Sequence, residues 1–392
     1  MGKIFKIYIK HLLLISIIGF PLFSTLKYFK KINPIVKELS DFRFTDIYFG
    51  HFQKKELDND IFLVDIGKKD NLKTRKEITS FINNINQNHR PKVLAIDINF
   101  KHDPLVSDSI NQNLISALES NNTVIYYDLI PNSFSEEKDF LQDKSEIPID
   151  YSIVEEGFSN CLVEKDTFGV LRFFQPYIIS GEDTLKHLSI VTADKFGEKS
   201  SSVLKKNKKV MINFGYKYNN SIPVSDREKY YQLKDKIVIL GLFTKNKLGQ
   251  PLYNEDLHYT SSNKYYLGKS FPNMYGGEVL ATIISNIKNN SFIEYKKGVS
   301  FIINLILSFL VYYLLLHFKI NYKNLFGTIE ILTKFVLAIF FVLVSIFIIA
   351  KTNFYIDLTA VGLISFFAVD FIGPINNIIQ SIDKWHNKNY SK

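Results

Sequence analysis

Residues 61–100 read IFLVDIGKKDNLKTRKEITSFINNINQNHRPKVLAIDINF, and the patterns within them follow the order of a parallel crossover unit. Ile61 to Ile66 is a short apolar run that carries Asp65. After a polar turn, Ile78, Phe81, Ile82 and Ile85 recur at helical spacing between about Thr74 and Asn88. Val93 to Ile98 is then a second apolar run of strand length. Working outward, a helical pattern over Asp108 to Ser120 leads to a third apolar run, Thr123 to Tyr127. Strands alternating with helices at this spacing predict a mostly parallel sheet.

Further along, Pro131 to Asp150 is polar and acidic. Beyond it the pattern predicts a helix over Leu185 to Phe196, strands at Val210 to Asn213 and Ile237 to Leu242, and a helix over Gly277 to Ile287. Residues 40–296 are thus expected to form one α/β domain, long enough to bury a substantial core. Leu242 to Gly276 shows no period and reads as a long structureless loop, a feature that is usually functional or mobile.

The flanks are of another kind. Gly298 to Leu316 holds no charge and has the length of a membrane-crossing helix. Phe335 to Ala350 is likewise uncharged and is bracketed by Lys334 and Lys351, whose long stems reach an interface. Phe354 to Ile372 carries Asp357 and Asp370, and Gly373-Pro374 is where this helix is expected to stop or kink. Near the N-terminus, Leu12 to Leu26 is a short apolar run interrupted by Pro21, read as an uncleaved anchor because no small-x-small cleavage signal precedes Thr25. Lysines at 3, 6 and 10, in the Ile320 to Lys334 loop and in the tail place these segments in the cytoplasm by the positive-inside preference. The expectation is an α/β extracytoplasmic domain with a mostly parallel sheet plus an α-helical membrane part of one N-terminal and three C-terminal transmembrane helices. Its segments are an anchor at 1–30, the domain at 40–296, three helices at 297–375 and a cytoplasmic tail at 376–392, in a bacterial cytoplasmic membrane.

The net charge of +9 does not indicate a nucleic-acid partner, because it comes from scattered lysines, with five arginines in the whole chain. The Lys205, Lys206, Lys208, Lys209 run reads as a solvated turn. Cys161 is the single cysteine, so neither an intramolecular disulfide nor a thiolate metal site can form. No cofactor is expected.

Seven short motifs then carry a resemblance. In order they are Asp41-Phe42-Arg43-Phe44, Ile61 to Asp65, Val93 to Phe100 (VLAIDINF), Phe168-Gly169-Val170-Leu171-Arg172, and Ile237 to Gly241 (IVILG). Asp256-Leu257-His258-Tyr259-Thr260 and Met274-Tyr275-Gly276-Gly277-Glu278-Val279 complete the set. Their order, between one span and three, resembles the type-two CHASE domain, the cyclase/histidine-kinase-associated sensory extracellular family. The resemblance covers about residues 40 to 375 and implies a sensory function. Two departures stand out. Family members usually continue into an output domain, whereas about eighteen residues follow Pro374 here. Tyr275 and Ser261 occupy positions where the family usually has Pro.

Candidate binding residues are suggested by placement. Asp65 and Asp97 end predicted parallel strands, where open α/β sheets place their ligand crevice; there they either face a ligand or bond the neighbouring loop and helix. Asp256, His258 and Thr260 alternate along an extended segment, so a carboxylate, an imidazole and a hydroxyl can converge on one face, or simply satisfy a surface loop. Gly276 and Gly277 open a helix whose free amides suit an anion or a chain reversal. Arg172 reads as a structural ion-pair residue. Asp370 lies at the cytoplasmic end of its helix, within reach of interfacial water.

No nucleophile elbow, phosphate loop or zincin motif is present, so no catalytic residue is assigned and the chain is not read as an enzyme. The leading expectation is a membrane-anchored ligand-binding module that signals through a separate partner protein, with oligomerisation as an option. A structural or assembly subunit using its long loop as a contact surface is the alternative. A hydrolase using Asp97, Asp256 and His258 is the third reading.

Overall fold

The computed structural model of the protein describes residues 5–14, 43–67, 72–101, 103–131, 140–160, 169–205, 208–246, 251–252, 256–264 and 272–390. They fall into two units, Phe49–Glu294 and the pair of segments Met1–Tyr48 and Tyr295–Lys392.

The first unit is built on β1 (Ile61–Asp65), α1 (Leu72–Asn84), β2 (Val93–Ile96), α2 (Asp108–Leu118), β3 (Thr123–Pro131), β4 (Phe140–Asp143) and β5 (Glu155–Phe158). After β6 (Val170–Leu171) come α3 (Leu188–Phe196), β7 (Ile222–Pro223) and β8 (Ile237–Gly241), then β9 (Leu257–Thr260), β10 (Met274–Tyr275) and α4 (Gly276–Asn289). The main sheet has seven strands in the order β7-β1-β8-β2-β3-β4, with β5 also paired to β3. All these pairings are parallel except β3 with β4. Ile237 lies opposite Ile61 on one side and Val93 on the other, so the late strand β8 separates β1 from β2.

Every residue of β1, β2 and β8 is buried, as a sheet covered on both faces requires. Side chains alternate between two cores. Phe62, Val64, Leu94, Ile96, Val238 and Leu240 pack on one face against Ile78, Phe81 and Ile82 of α1 and Leu114 and Leu118 of α2. Ile61, Leu63, Val93, Ala95, Ile237 and Ile239 pack on the other against Leu188 and Val191 of α3 and Leu280, Ala281 and Ile284 of α4. Gly157 in β5 lets the start of α3 approach closely: a Cβ there would lie 2.7 Å from the Leu188 Cα.

Several expectations are corrected. The segment expected to be a structureless loop contains β9 and β10, which pair antiparallel, while β9 also runs parallel to β6. Residues 247–250, 253–255 and 265–271 of it lie outside the described residues. The helix expected from Leu185 starts at Leu188, because Asp183–Lys186 forms a hairpin with Tyr177–Ser180 and the His187 imidazole accepts the Ser189 N–H to cap the helix.

The second unit holds α5 (Lys297–Asn321), α6 (Lys323–Thr352) and α7 (Thr359–Tyr390). Residues 5–14 are also helical, and Tyr8 and His11 hydrogen-bond Phe309 and Tyr312 of α5. The remainder of the expected N-terminal span lies outside the described residues. Lys297–Asn321 and Ile331–Thr352 are long and apolar enough to cross a membrane, and Ala360–Ala368 with Asp370–Trp385 would form a third span if the bent pair crosses as one. Their outward faces are apolar, with Phe301, Ile302, Ile306, Ile331, Leu332, Phe335 and Ile339 exposed, whereas Ser345 and Ser365 are buried. That is the inverse of a water-soluble bundle and suits hydrocarbon.

Two helix boundaries also differ from expectation. The Ile320 to Lys334 loop reduces to Tyr322, because α6 begins at Lys323. Helix α7 begins at Thr359 rather than Phe354; of the stop or kink expected at Gly373-Pro374 it shows the kink, a 56° bend between Ala368 and Asp370. Pro374 supplies the cause: it lacks the N–H that would bond residue 370, four positions earlier. Asp370 is ion-paired with Lys334 of α6. Asn304 of α5 accepts the Val361 N–H and donates to the Asp357 carbonyl, tying α5 to the start of α7.

Candidate functional site at the strand ends

Helices α1 and α2, which follow β1 and β2, lie on one face of the sheet, whereas the chain leaving β8 reaches α4 on the other. Connections therefore diverge on both sides of β8. An open α/β sheet places its ligand crevice at such divergences, beyond the C-terminal strand ends. The side chains there are Asp65 at the end of β1, Phe243 and Thr244 after β8, and Asp97 after β2.

Over β1 and β8 lies a groove of about 640 Å³, lined among others by Lys55, Asp65, Tyr218, Phe243, Asn273 and Glu278. Asp65 holds its wall together. Its carboxylate accepts the backbone N–H groups of Gly67 and Phe243, each at 3.0 Å, and the Thr244 hydroxyl at 2.7 Å. These donors saturate much of its acceptor capacity, so it shapes the groove by joining the loops after β1 and β8. Glu278 is also committed, to Lys245 and to the Tyr275 N–H at 3.0 Å.

Beside β8 and β2, a second and much smaller pocket of about 30 Å³ is lined by Asp97, Ser159, His187, Asp256, His258 and Gly276, room for about one water molecule. Burial holds the Asp97 carboxyl well above the usual carboxylate range, and the like charges of Asp256 and Asp128 push it the same way. Among the described residues no hydrogen-bond donor reaches that carboxylate. Asp128 is also raised, chiefly by burial, although the Ser159 hydroxyl donates to it at 3.3 Å. Burial lowers the His187 imidazole to about 3, so the ring is neutral. Because its Nδ1 accepts the Ser189 N–H, its single proton resides on Nε2.

The predicted residues thus divide. Asp97, Asp256, His258 and Gly276 come together at the small pocket, and Asp65 borders the groove. Asp256 has a left-handed backbone, φ 56°, and its carboxylate accepts the Gly276 N–H at 3.0 Å. The start of α4, expected to be open to an outside anion, therefore faces one from its own chain. Gly277 is required by crowding, since a Cβ would meet the Phe243 ring at 2.6 Å and the Asp97 carboxylate at 3.0 Å. His258 lies 3.6 Å from Asp256. Thr260 turns away into a buried network, bonding Ser262 at 2.9 Å and Asn273 at 3.1 Å. Arg172 is buried, and its carbonyl accepts the Ile212 N–H. Among the described residues no three His, Cys, Asp or Glu side chains converge as metal ligands.

Sequence reasoning missed Asp128, Ser159, His187 and Lys55. Only His187 left a trace, as the polar residue just before an apolar helix. Tyr275, the departure from the family pattern, is fully buried, and its hydroxyl donates to the Thr244 carbonyl at 2.7 Å. Tyr275→Phe is expected to cost about 1 kcal/mol, because the Thr244 carbonyl keeps a second donor, the Leu252 N–H. Hydrogen exchange of the β8 amides in the two proteins measures it; unchanged exchange would show that the tie carries no stability.

No curated protein and no solved structure matches this chain. A model of the CHASE2 domain family matches residues 18–316, more than half of the chain. The matched region includes the parallel sheet, both strand-end pockets and most of helix α5, and on that basis the chain belongs to the CHASE2 domain family of sensory domains.

Proposed function

We propose that the chain is a membrane-anchored sensory module whose α/β domain lies outside the cytoplasmic membrane of a bacterium and binds a small molecule in the groove over β1 and β8. The groove itself carries this reading: at about 640 Å³ it has the size of a ligand site, and it lies where the sheet connections diverge. One N-terminal and three C-terminal helices anchor the domain, and a separate protein receives the signal. The role is binding rather than catalysis. A physical route for the signal exists in the chain, since α4 starts beside the strand-end site and only residues 290–296 separate it from α5. A ligand acts through this route to the extent that it prefers one arrangement of the helices.

Two measurements test the proposal. In a thermal-shift screen of polar metabolites against the full chain in mild detergent, stabilising compounds are expected to lose their effect in Asn273→Trp, which fills the groove. Equal shifts in both proteins would remove the groove as the site. For topology, Cys161→Ser combined with Ser221→Cys at the groove rim is expected to label with an impermeant maleimide on intact cells. Labelling only after lysis would place the domain inside.

A further inference from the structure

The electrostatics of the groove point to a class of ligand, an inference that rests on the groove being the ligand site. Among the described residues its two acidic side chains are already engaged, Asp65 by three donors and Glu278 by Lys245 and the Tyr275 N–H. Lys55 is different. Among the described residues it forms no ion pair, and its ammonium shares the groove with Lys245 and the field of nearby Lys264. The residue as a whole is exposed, yet desolvation comes first in lowering its pKa; Glu278 opposes the shift, and Lys245 and Lys264 add to it. Among the described residues three ammonium groups thus act around the Glu278 carboxylate, an excess of positive charge at this end of the groove.

Polar side chains continue the lining, with Asn219 and Asn220 offering amide donors and acceptors, and the Phe243 and Tyr218 rings supplying flat apolar wall. We propose that the groove binds a small anionic molecule, one bearing a carboxylate or phosphate group, with Lys55 as its principal charge contact. A bound anion gives Lys55 a direct ion-pair partner, and the amides orient the rest of the ligand. Lysine serves here as a point charge, suited to either anion without the planar geometry that arginine imposes.

The test uses the full chain in a neutral maltoside detergent, titrated with inorganic phosphate and with succinate against chloride at matched ionic strength. At least one of the two anions is expected to raise the unfolding temperature, by mass action on the folded state. Lys55→Met should weaken its apparent affinity roughly tenfold, the size of one charge-assisted hydrogen bond, while Lys73→Met on α1 should leave it unchanged. Reconstitution in phosphatidylcholine nanodiscs with and without phosphatidylglycerol identifies the source. A Lys55-dependent shift with the anionic lipid alone assigns the anion to a lipid headgroup, and one with the soluble ions assigns it to a free solute. Absence of any Lys55-dependent shift overturns the proposal. Ethanolamine and glucose distinguish its failure from that of the groove reading. If either stabilises the wild type but not Asn273→Trp, the groove is a ligand site of another class; if no probe is sensitive to Asn273→Trp, these probes give the groove reading no support.

Discussion

Lys288→Met is expected to cost the sheet domain about 3 kcal/mol, the lower end of the loss incurred when a buried ion pair is deprived of one partner. The Lys288 ammonium donates to both Asp58 oxygens, at 2.9 and 3.2 Å, and to Asp60 at 2.9 Å. The Asp58 side chain is 5% exposed and that of Lys288 10%, so the variant would leave a carboxylate enclosed without its cation. Two donors remain to Asp58, the Ser285 hydroxyl at 2.7 Å and the Asp60 N–H at 2.9 Å, which keeps the loss at the lower end. Hydrogen bonds from Lys236 and then Lys288 draw the Asp60 carboxyl down to about 2 against the opposing effect of burial. Its contribution is therefore present above the ordinary carboxylate range and lost as pH falls toward about 2. Burial lowers the Lys288 pKa, but hydrogen bonds to Asp60 and Asp58 outweigh it and leave a net rise. Its contribution is lost only at pH above the ordinary lysine range. The difference between wild type and variant should thus be flat across neutral pH. Hydrogen exchange of β1 and α4 peptides measures it; a difference below about 1 kcal/mol would mean that the triad is solvated.

Asp97→Asn is expected to act in the opposite direction, stabilising the domain by about 2 kcal/mol at pH 8, because it removes an enclosed negative charge, set beside two like charges, that costs on the scale of one unsatisfied buried group. Burial and the charges of Asp256 and Asp128 raise the folded-state pKa of Asp97 above that of the unfolded chain. The folded protein therefore holds this proton longer, and stability declines as pH rises from the ordinary carboxylate range to the folded-state value. Below that range the penalty is absent. The variant, neutral throughout, should lack this part of the decline, so the two stability profiles should meet near pH 4 and diverge upward. Parallel profiles would show that Asp97 is not enclosed among like charges.

Much of the α/β character was legible because β1, β2 and β8 are buried on both faces and so appear as continuous apolar runs. Their order in space was not. Nothing in IVILG at 237–241 announces that it pairs with both IFLVD at 61–65 and VLAI at 93–96, because the pairing is selected by the assembled sheet. Strand β9 was legible only as the extended segment carrying Asp256, His258 and Thr260; its pairing and the two-residue β10 were not, because four residues and two residues are too short to display a period. At the site, Asp65 and Asp97 could be placed from their strand ends, yet their different roles could not. Three donors meet Asp65 because the loop after β8 folds over it and supplies two of them beside the Gly67 N–H of the loop after β1, whereas Asp97 faces two other carboxylates brought from β3 and the β8–α4 connection. Lys55 was hidden by composition, as one lysine among many.

The position of β8 also sets the order in which the domain can be made. Strands β1 and β2 emerge from the ribosome early, but neither touches the other; each borders a strand that begins at Ile237. The nascent chain must therefore keep one edge of each of these largely apolar strands open through the synthesis of more than a hundred further residues before the seam can close, even though β2 can pair with β3 on its other edge soon after it is made. Such non-local parallel pairing is slow and leaves sticky edges open in the interval. Mutations that delay β8, rather than those that weaken the finished sheet, are where losses in yield should concentrate.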